Sequence, residues 1–203
     1  ANYIPVVDGP MFIAGLAVFG MGGAALVLRG LIATRPTGPV LSAEGALRFG
    51  LNASVVAAAV AVLSFGASLL LVPRSLDVQT YYEIVYWGGG HALQFVWTLL
   101  MLVGWLWLAS ASGARLPLSP RLAVLMFALA LVSVFATPLA YLATDVTSVE
   151  FRLINTWAMR VGGGLAILPI SLAVVIGLSR GRVTHDAAVP PLRAALVASI
   201  VLF

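Results

Sequence analysis

The chain has no cysteine and no lysine, and only 9% of its residues are charged. Without cysteine there are no disulfides, thiolate metal sites or iron–sulfur clusters. A soluble domain carries about a quarter of its residues as charges, so a solvated globular surface is excluded as well. What fills the sequence is apolar: 62% of the 203 residues are hydrophobic. All eleven cations are arginines. The isoelectric point near 10.1 then reads as arginine at helix ends facing anionic lipid, and no nucleic-acid partner is expected.

Hydropathy predicts an all-α polytopic membrane protein, a transmembrane helix bundle of five full spans and one partial span. The full spans are Pro10–Ile32, Phe49–Val72, Ile84–Ala109, Arg121–Ala143 and Trp157–Leu178, followed by Pro191–Phe203, and each full one approaches the 20 or so helical residues that cross a bilayer. Turn-forming residues punctuate them: Pro36-Thr37-Gly38-Pro39, Pro73-Arg74-Ser75, Ser112-Gly113 with Pro117 and Pro120, and Pro190-Pro191. Residues 1–203 form a single transmembrane domain. The last apolar run, Ala194–Phe203, is half the length a crossing needs, so the natural polypeptide is expected to continue in both directions.

Arginine placement orients the bundle. Arg29, Arg35, Arg48, Arg115, Arg121, Arg180, Arg182 and Arg193 fall on one set of connections, whereas 1–9, 73–83 and 144–156 hold only Arg74 and Arg152 among Asp8, Asp77, Glu83, Asp145 and Glu150. The positive-inside rule therefore puts 1–9, 73–83 and 144–156 on the periplasmic side of a bacterial cytoplasmic (inner) membrane. No internal repeat is evident, which argues against duplicated transporter folds. Gly15, Gly20, Gly22 and Gly23 are read as small residues that let helices approach closely.

Two histidines are present. His185, in the arginine-rich connection after Arg180, reads as a solvated loop residue. His91 lies about two turns inside the third span, in Trp87-Gly88-Gly89-Gly90-His91, where an ionisable side chain faces the bundle interior and points to function by default. The bland alternative is a neutral imidazole bonded to a neighbouring helix. Three consecutive glycines cost a helix roughly 1 kcal/mol each relative to alanine, a cost accepted where another helix or a flat cofactor needs the room. Gly162-Gly163-Gly164 repeats the device after Arg160, which either pairs with a carboxylate such as a cofactor propionate or snorkels to the interface. Trp87 is close enough in sequence to His91 to pack on a cofactor, and Trp105 and Trp107 read as interfacial belt residues. Tyr141 and Thr144 follow a Thr137-Pro138 kink, and Asn155 with Thr156 and Trp157 reads as a cap and an interfacial tryptophan.

Trp87–Phe95 resembles the sixth helix of the catalytic subunit (subunit I) of heme–copper oxidases, in which a Trp-x-x-Gly-His pattern supplies a ligand of the active-site copper. The similarity runs in order along the chain: Asn2-Tyr3-Ile4-Pro5 to Phe12 with Gly15 is similar to the entry into the fourth helix, and Ala136–Tyr141, the acidic connection and Phe151–Met159 to helices seven and eight. The resemblance implies an internal fragment, about helices four to nine, of a subunit of about twelve. It implies a heme-bearing respiratory oxidoreductase of the electron-transport type, cytochrome c oxidase subunit I-like, terminal oxidase or nitric oxide reductase in type if active. Its heme ligands would lie outside the fragment, with Trp87, Gly90 and Arg160 beside the cofactor and His91 as the retained metal-type histidine. Partner subunits of a membrane complex, a cytochrome c-type donor and the lipid bilayer follow from the same resemblance. The departures fall on the copper. The paired histidines of the family's seventh helix correspond to Leu142-Ala143, which have no lone pair to offer. Phe95 stands where many members have tyrosine, and Asn155 where a histidine can occur. A degenerate, non-catalytic paralogue serving as a structural or assembly subunit is the other reading. An unrelated channel or transporter, which would need a lined polar path, ranks last.

Overall fold

The computed structural model describes residues 9–38, 40–181 and 188–203; the Asn2–Pro5 similarity, Asp8, Arg182 and His185 lie outside them. The described residues are helices and connections: α1 (Pro10–Ile32), α2 (Ala43–Leu71), α3 (Val78–Ala111), α4 (Pro120–Val134), α5 (Ala136–Ala143), α6 (Val149–Ser179) and α7 (Val189–Leu202). Five helical stretches are long and apolar enough to cross a membrane, α4 and α5 together forming one of them, and α7 is a shorter apolar helix. The chain is a multi-pass membrane protein in a lipid bilayer.

Three spans begin earlier than hydropathy predicts. Ser42 caps α2, which starts at Ala43, by accepting from the Gly45 N–H at 3.1 Å. Asp77 caps α3 by accepting from the Thr80 N–H at 3.0 Å, and Ser148 caps α6 by accepting from the Phe151 N–H at 3.1 Å. Capping side chains nucleate helix outside the hydrocarbon, where hydropathy carries no signal. Asn155 is therefore not a cap; it lies two turns inside α6 and is 1% exposed. The fourth span is two helices. Pro138 withholds the N–H that would bond the Val134 carbonyl and its ring crowds that oxygen, so the helix breaks at Phe135.

Helix α3 is the hub, packing on every other described helix except α1. Its closest partner, α2, buries a stripe of small residues at helical spacing: Ala46, Gly50, Ala53, Ala57, Ala61, Ser64 and Ser68. Lipid gives helices no hydrophobic reason to associate, so close backbone approach and the dispersion contacts it brings take over. A Cβ on Gly50 would stand 2.5 Å from Val103, which shows how tight that approach is. Phe95, Leu99 and Leu102 of α3, Phe127 and Val134 of α4, and Ile170 and Val174 of α6 complete the main core. A second cluster, Val72, Ile84, Val85, Ala140, Val146 and Phe151, closes the end bearing Asp77 and Asp145. At the opposite end Arg193 donates to the Ser112 carbonyl at 2.6 Å, tying α7 to the α3–α4 connection.

Helix α1 touches only α2 and buries no residue. Alanine methyls on Gly15, Gly20, Gly22 or Gly23 would meet nothing, so these glycines mediate no close helix approach among the described residues. Trp105 is not a belt residue: it is 3% exposed and donates its indole N–H to Ser199 Oγ at 3.1 Å. Trp107 does face outward.

Candidate functional site

Within this apolar bundle the polar side chains gather along the seam between α3 and α6. Glu83, Trp87, His91 and Gln94 recur at four, four and three residues, which places them on one stripe of α3. Arg152, one turn into α6, reaches Glu83 at 3.6 Å and lies over the Trp87 ring, 5.5 Å from its centroid. Trp87 in turn stacks on His91, with centroids 4.9 Å apart and planes tilted by 33°. Glu83, Arg152, Trp87 and His91 thus form one continuous column descending from the Asp77 end of the bundle.

His91 is held by its own helix. Its Nδ1 lies 2.8 Å from the Trp87 carbonyl. A carbonyl can only accept, so Nδ1 carries the proton; Nε2 has no partner among the described residues and, in a neutral ring, holds the lone pair. This is the arrangement in which imidazole serves as a ligand or proton acceptor. It also retires the bland alternative of a histidine satisfied by a neighbouring helix. Because α3 starts at Val78, His91 stands about 20 Å along it, near its middle.

The seam is under-satisfied. Trp87 Nε1, Gln94 Oε1 and Asn155 Oδ1 are buried polar atoms without a hydrogen-bond partner among the described residues. Asn155 spends its amide N–H on the Phe151 carbonyl at 2.8 Å, leaving the acceptor oxygen unused. Each such orphan costs about 1–3 kcal/mol, and these three lie on the two helices that form one interface. Hydropathy had no means of finding Arg152 or Gln94. Both became visible once the helix starts fixed which residues share a face.

The glycine runs divide. Gly88 accommodates the Tyr141 ring, whose Cε2 would be 2.9 Å from an added Cβ, and Gly89 accommodates Phe65 at 2.6 Å. Gly162 receives Ser133 and, at 3.1 Å, the buried Phe95. Side chains of this chain, not a flat cofactor, occupy the room at these three positions. Gly90 and Gly164 face open space. Tyr141 does more than follow a kink: its hydroxyl bonds Ser68 at 2.6 Å and its ring meets Phe151 edge-on at 4.8 Å. Thr144 returns its hydroxyl to the Ala140 carbonyl.

Arg160 is separate from the column. It is exposed, lies over the Trp157 ring at 5.7 Å, and stands about 140° around α6 from Asn155 at 100° per residue. It lies about 16 Å along α6 from its start. Leu142 and Ala143 are exposed. Among the described residues no three histidine, cysteine or carboxylate side chains converge, so the residues present do not fit a copper ion at His91.

No protein-family model matches the chain, and no solved structure matches it. It is 22% identical over 184 residues to an uncharacterized protein of Rickettsia prowazekii, covering 87% of this chain and 35% of that one. It is 25% identical over 181 residues to an uncharacterized protein of Aquifex aeolicus, covering 89% of this chain and 44% of that one. The chain thus spans less than half the length of these curated relatives.

Proposed function

We propose that the chain is the central part of a heme-bearing membrane oxidoreductase of the respiratory electron-transport type, similar to subunit I of cytochrome c oxidase but with an incomplete copper site. The observation that carries this reading is His91, about 20 Å along the apolar helix α3, with Nδ1 bonded to its own helix and no partner for Nε2 among the described residues, at the foot of a polar column with unsatisfied atoms beside it. Trp87 and His91 supply a ring wall, Gly90 an open backbone next to them, and Arg152 a cation that a propionate can pair with. A heme bound there would supply one-electron transfer, its iron ligands coming from chain outside these residues. The chain's own residues position and exclude: Trp87 stacks on His91 and fixes its ring, while Phe95, Leu99 and Leu102 keep the core below it dry. Arginine distribution supports a bacterial inner membrane with the Asp77 and Asp145 end in the periplasm, within reach of a cytochrome c-type donor, and with partner subunits on the exposed helix faces.

The test is the absorption spectrum of the full-length protein purified from membranes. A Soret band that shifts or weakens in His91→Ala, with the protein still assembled, supports the reading; a colourless protein refutes it. A structural or assembly subunit is the second reading. It is favoured by Tyr141, Phe65 and Phe95 filling the glycine clearances, and it predicts a colourless protein whose His91→Ala variant loses assembly.

A further inference from the structure

The outward face of α6 carries a feature independent of the column. Arg160, Val161, Gly164, Leu165, Leu168 and Pro169 line a shallow, open groove. Gly164 contributes no side chain, and an added Cβ there would meet nothing. Pro169 lacks the N–H that would bond the Leu165 carbonyl, so the helix is locally loosened where the groove ends. The floor is apolar for about 13 Å of helix rise, from Arg160 to Pro169. At its head sits a cation. Among the described residues no carboxylate lies within ion-pair distance of Arg160; its contact is the Trp157 ring. Side chains lean toward the N-terminus of their helix, so Arg160 reaches back along α6 toward Trp157 and the interface.

We propose that this groove binds an anionic glycerophospholipid, its phosphate on the Arg160 guanidinium beside Trp157 and an acyl chain laid along Gly164 and Leu168. A guanidinium with no carboxylate partner among the described residues, reaching back along α6 toward the interface, is complementary to a phosphate, with which it forms paired charge-assisted hydrogen bonds. A lipid with net negative charge fits better than a zwitterionic one, whose own amine competes for the phosphate. Tryptophan beside the arginine is a residue that favours the membrane interface. The glycine keeps the groove deep enough for a chain.

The full-length protein, purified in detergent and titrated with phosphatidylglycerol or phosphatidylethanolamine, is read by native mass spectrometry. Phosphatidylglycerol is expected to bind more tightly than phosphatidylethanolamine. Arg160→Gln should weaken it about fivefold, the worth of one arginine at an anionic surface, while Arg74→Gln, an exposed loop arginine, leaves it unchanged. Gly164→Leu, which fills the groove from a position with free space, should abolish the tight adduct with the fold intact. Equal binding of the two lipids, or no change in Arg160→Gln, overturns the proposal. A photoreactive residue at Leu168 distinguishes the occupant in native membranes: crosslinks to lipid support it, and crosslinks to a protein helix overturn it.

Discussion

Substituting Gly88→Ala tests the packing that sets the candidate site. The added methyl would stand 2.9 Å from Cε2 and Cζ of Tyr141 and closer still to its hydroxyl oxygen. Tyr141 has little freedom to yield, since its hydroxyl is bonded to Ser68 at 2.6 Å and its ring rests against Phe151. Overpacking of this kind costs about 1–3 kcal/mol. Opening the Ser68 bond adds about 0.6 kcal/mol, the mean for such bonds between membrane helices. Against this, alanine improves helix propensity by about 0.8–1.0 kcal/mol. The balance is a loss of about 0.6–2.8 kcal/mol. Gly164→Ala, where the methyl meets nothing, receives the propensity gain alone. Reversible unfolding in mixed micelles should therefore separate the two variants by about 1.6–3.6 kcal/mol, with Gly88→Ala the weaker. Tyr141→Phe removes the nearest clashing atom, so its combination with Gly88→Ala should cost less than the sum of the two single changes. Equal stability of Gly88→Ala and Gly164→Ala, or strict additivity with Tyr141→Phe, would refute the argument.

Other expectations follow from the same geometry. Arg152→Ala leaves Glu83 without its partner and uncovers the Trp87 ring; a red shift in Trp87 emission, in a background where the other tryptophans are replaced by phenylalanine, checks it, and an unshifted spectrum contradicts the column. Pro138→Ala restores the donor for the Val134 carbonyl and should fuse α4 with α5, carrying Tyr141 away from Ser68; a structure of the variant with the 2.6 Å bond intact would show that the proline is not what sets the break. Asp77 is held below the ordinary aspartate value of 3.8 by hydrogen bonds from Thr80. Its folded-state pKa is depressed, so its contribution is present above 3.8 and lost as pH falls through the folded value. Hydrogen exchange of the Thr80 amide should accelerate in that acid range, and Asp77→Asn, which caps without titrating, should remove the pH dependence.

What the sequence reveals of this protein divides along a physical line. Span positions were legible because crossing lipid demands a long apolar run whatever the tertiary structure. Pro10–Ile32 is a helix with the predicted bounds. Helix starts were legible only through caps: Ser42, Asp77 and Ser148 each extend a helix beyond the predicted span, and overlooking Ser148 misassigned Asn155. The glycine runs were the least legible. Gly88-Gly89-Gly90 signals a need for space, but whether Tyr141, Phe65 or an external ring fills it depends on the Pro138 break, which turns Tyr141 toward α3.

The seam between α3 and α6 departs from the rule that governs the rest of the bundle. Elsewhere polar side chains find partners, some across helices, such as Ser68 with Tyr141 and Trp105 with Ser199, and many within their own turn: Ser54, Ser64, Ser110, Ser133 and Thr156 each return a hydroxyl to a carbonyl three or four residues back. That solution was open to Asn155 and His91, and both take it with one nitrogen. Asn155 Oδ1, Trp87 Nε1 and Gln94 Oε1 are left without a hydrogen-bond partner among the described residues. A bundle held by packing alone would replace these three with leucine or alanine at no cost in fold and with a gain from removing the orphans. Their presence along one stripe, capped by the Glu83–Arg152 pair, is therefore better explained by something bound or conducted there than by stability. Replacing Asn155 with leucine sharpens the choice. If the seam is only packing, Asn155→Leu should be neutral or stabilising in micelles; if it serves a ligand, the variant should keep or gain stability while losing whatever spectral or redox property His91→Ala also loses. Loss of stability alone would contradict both.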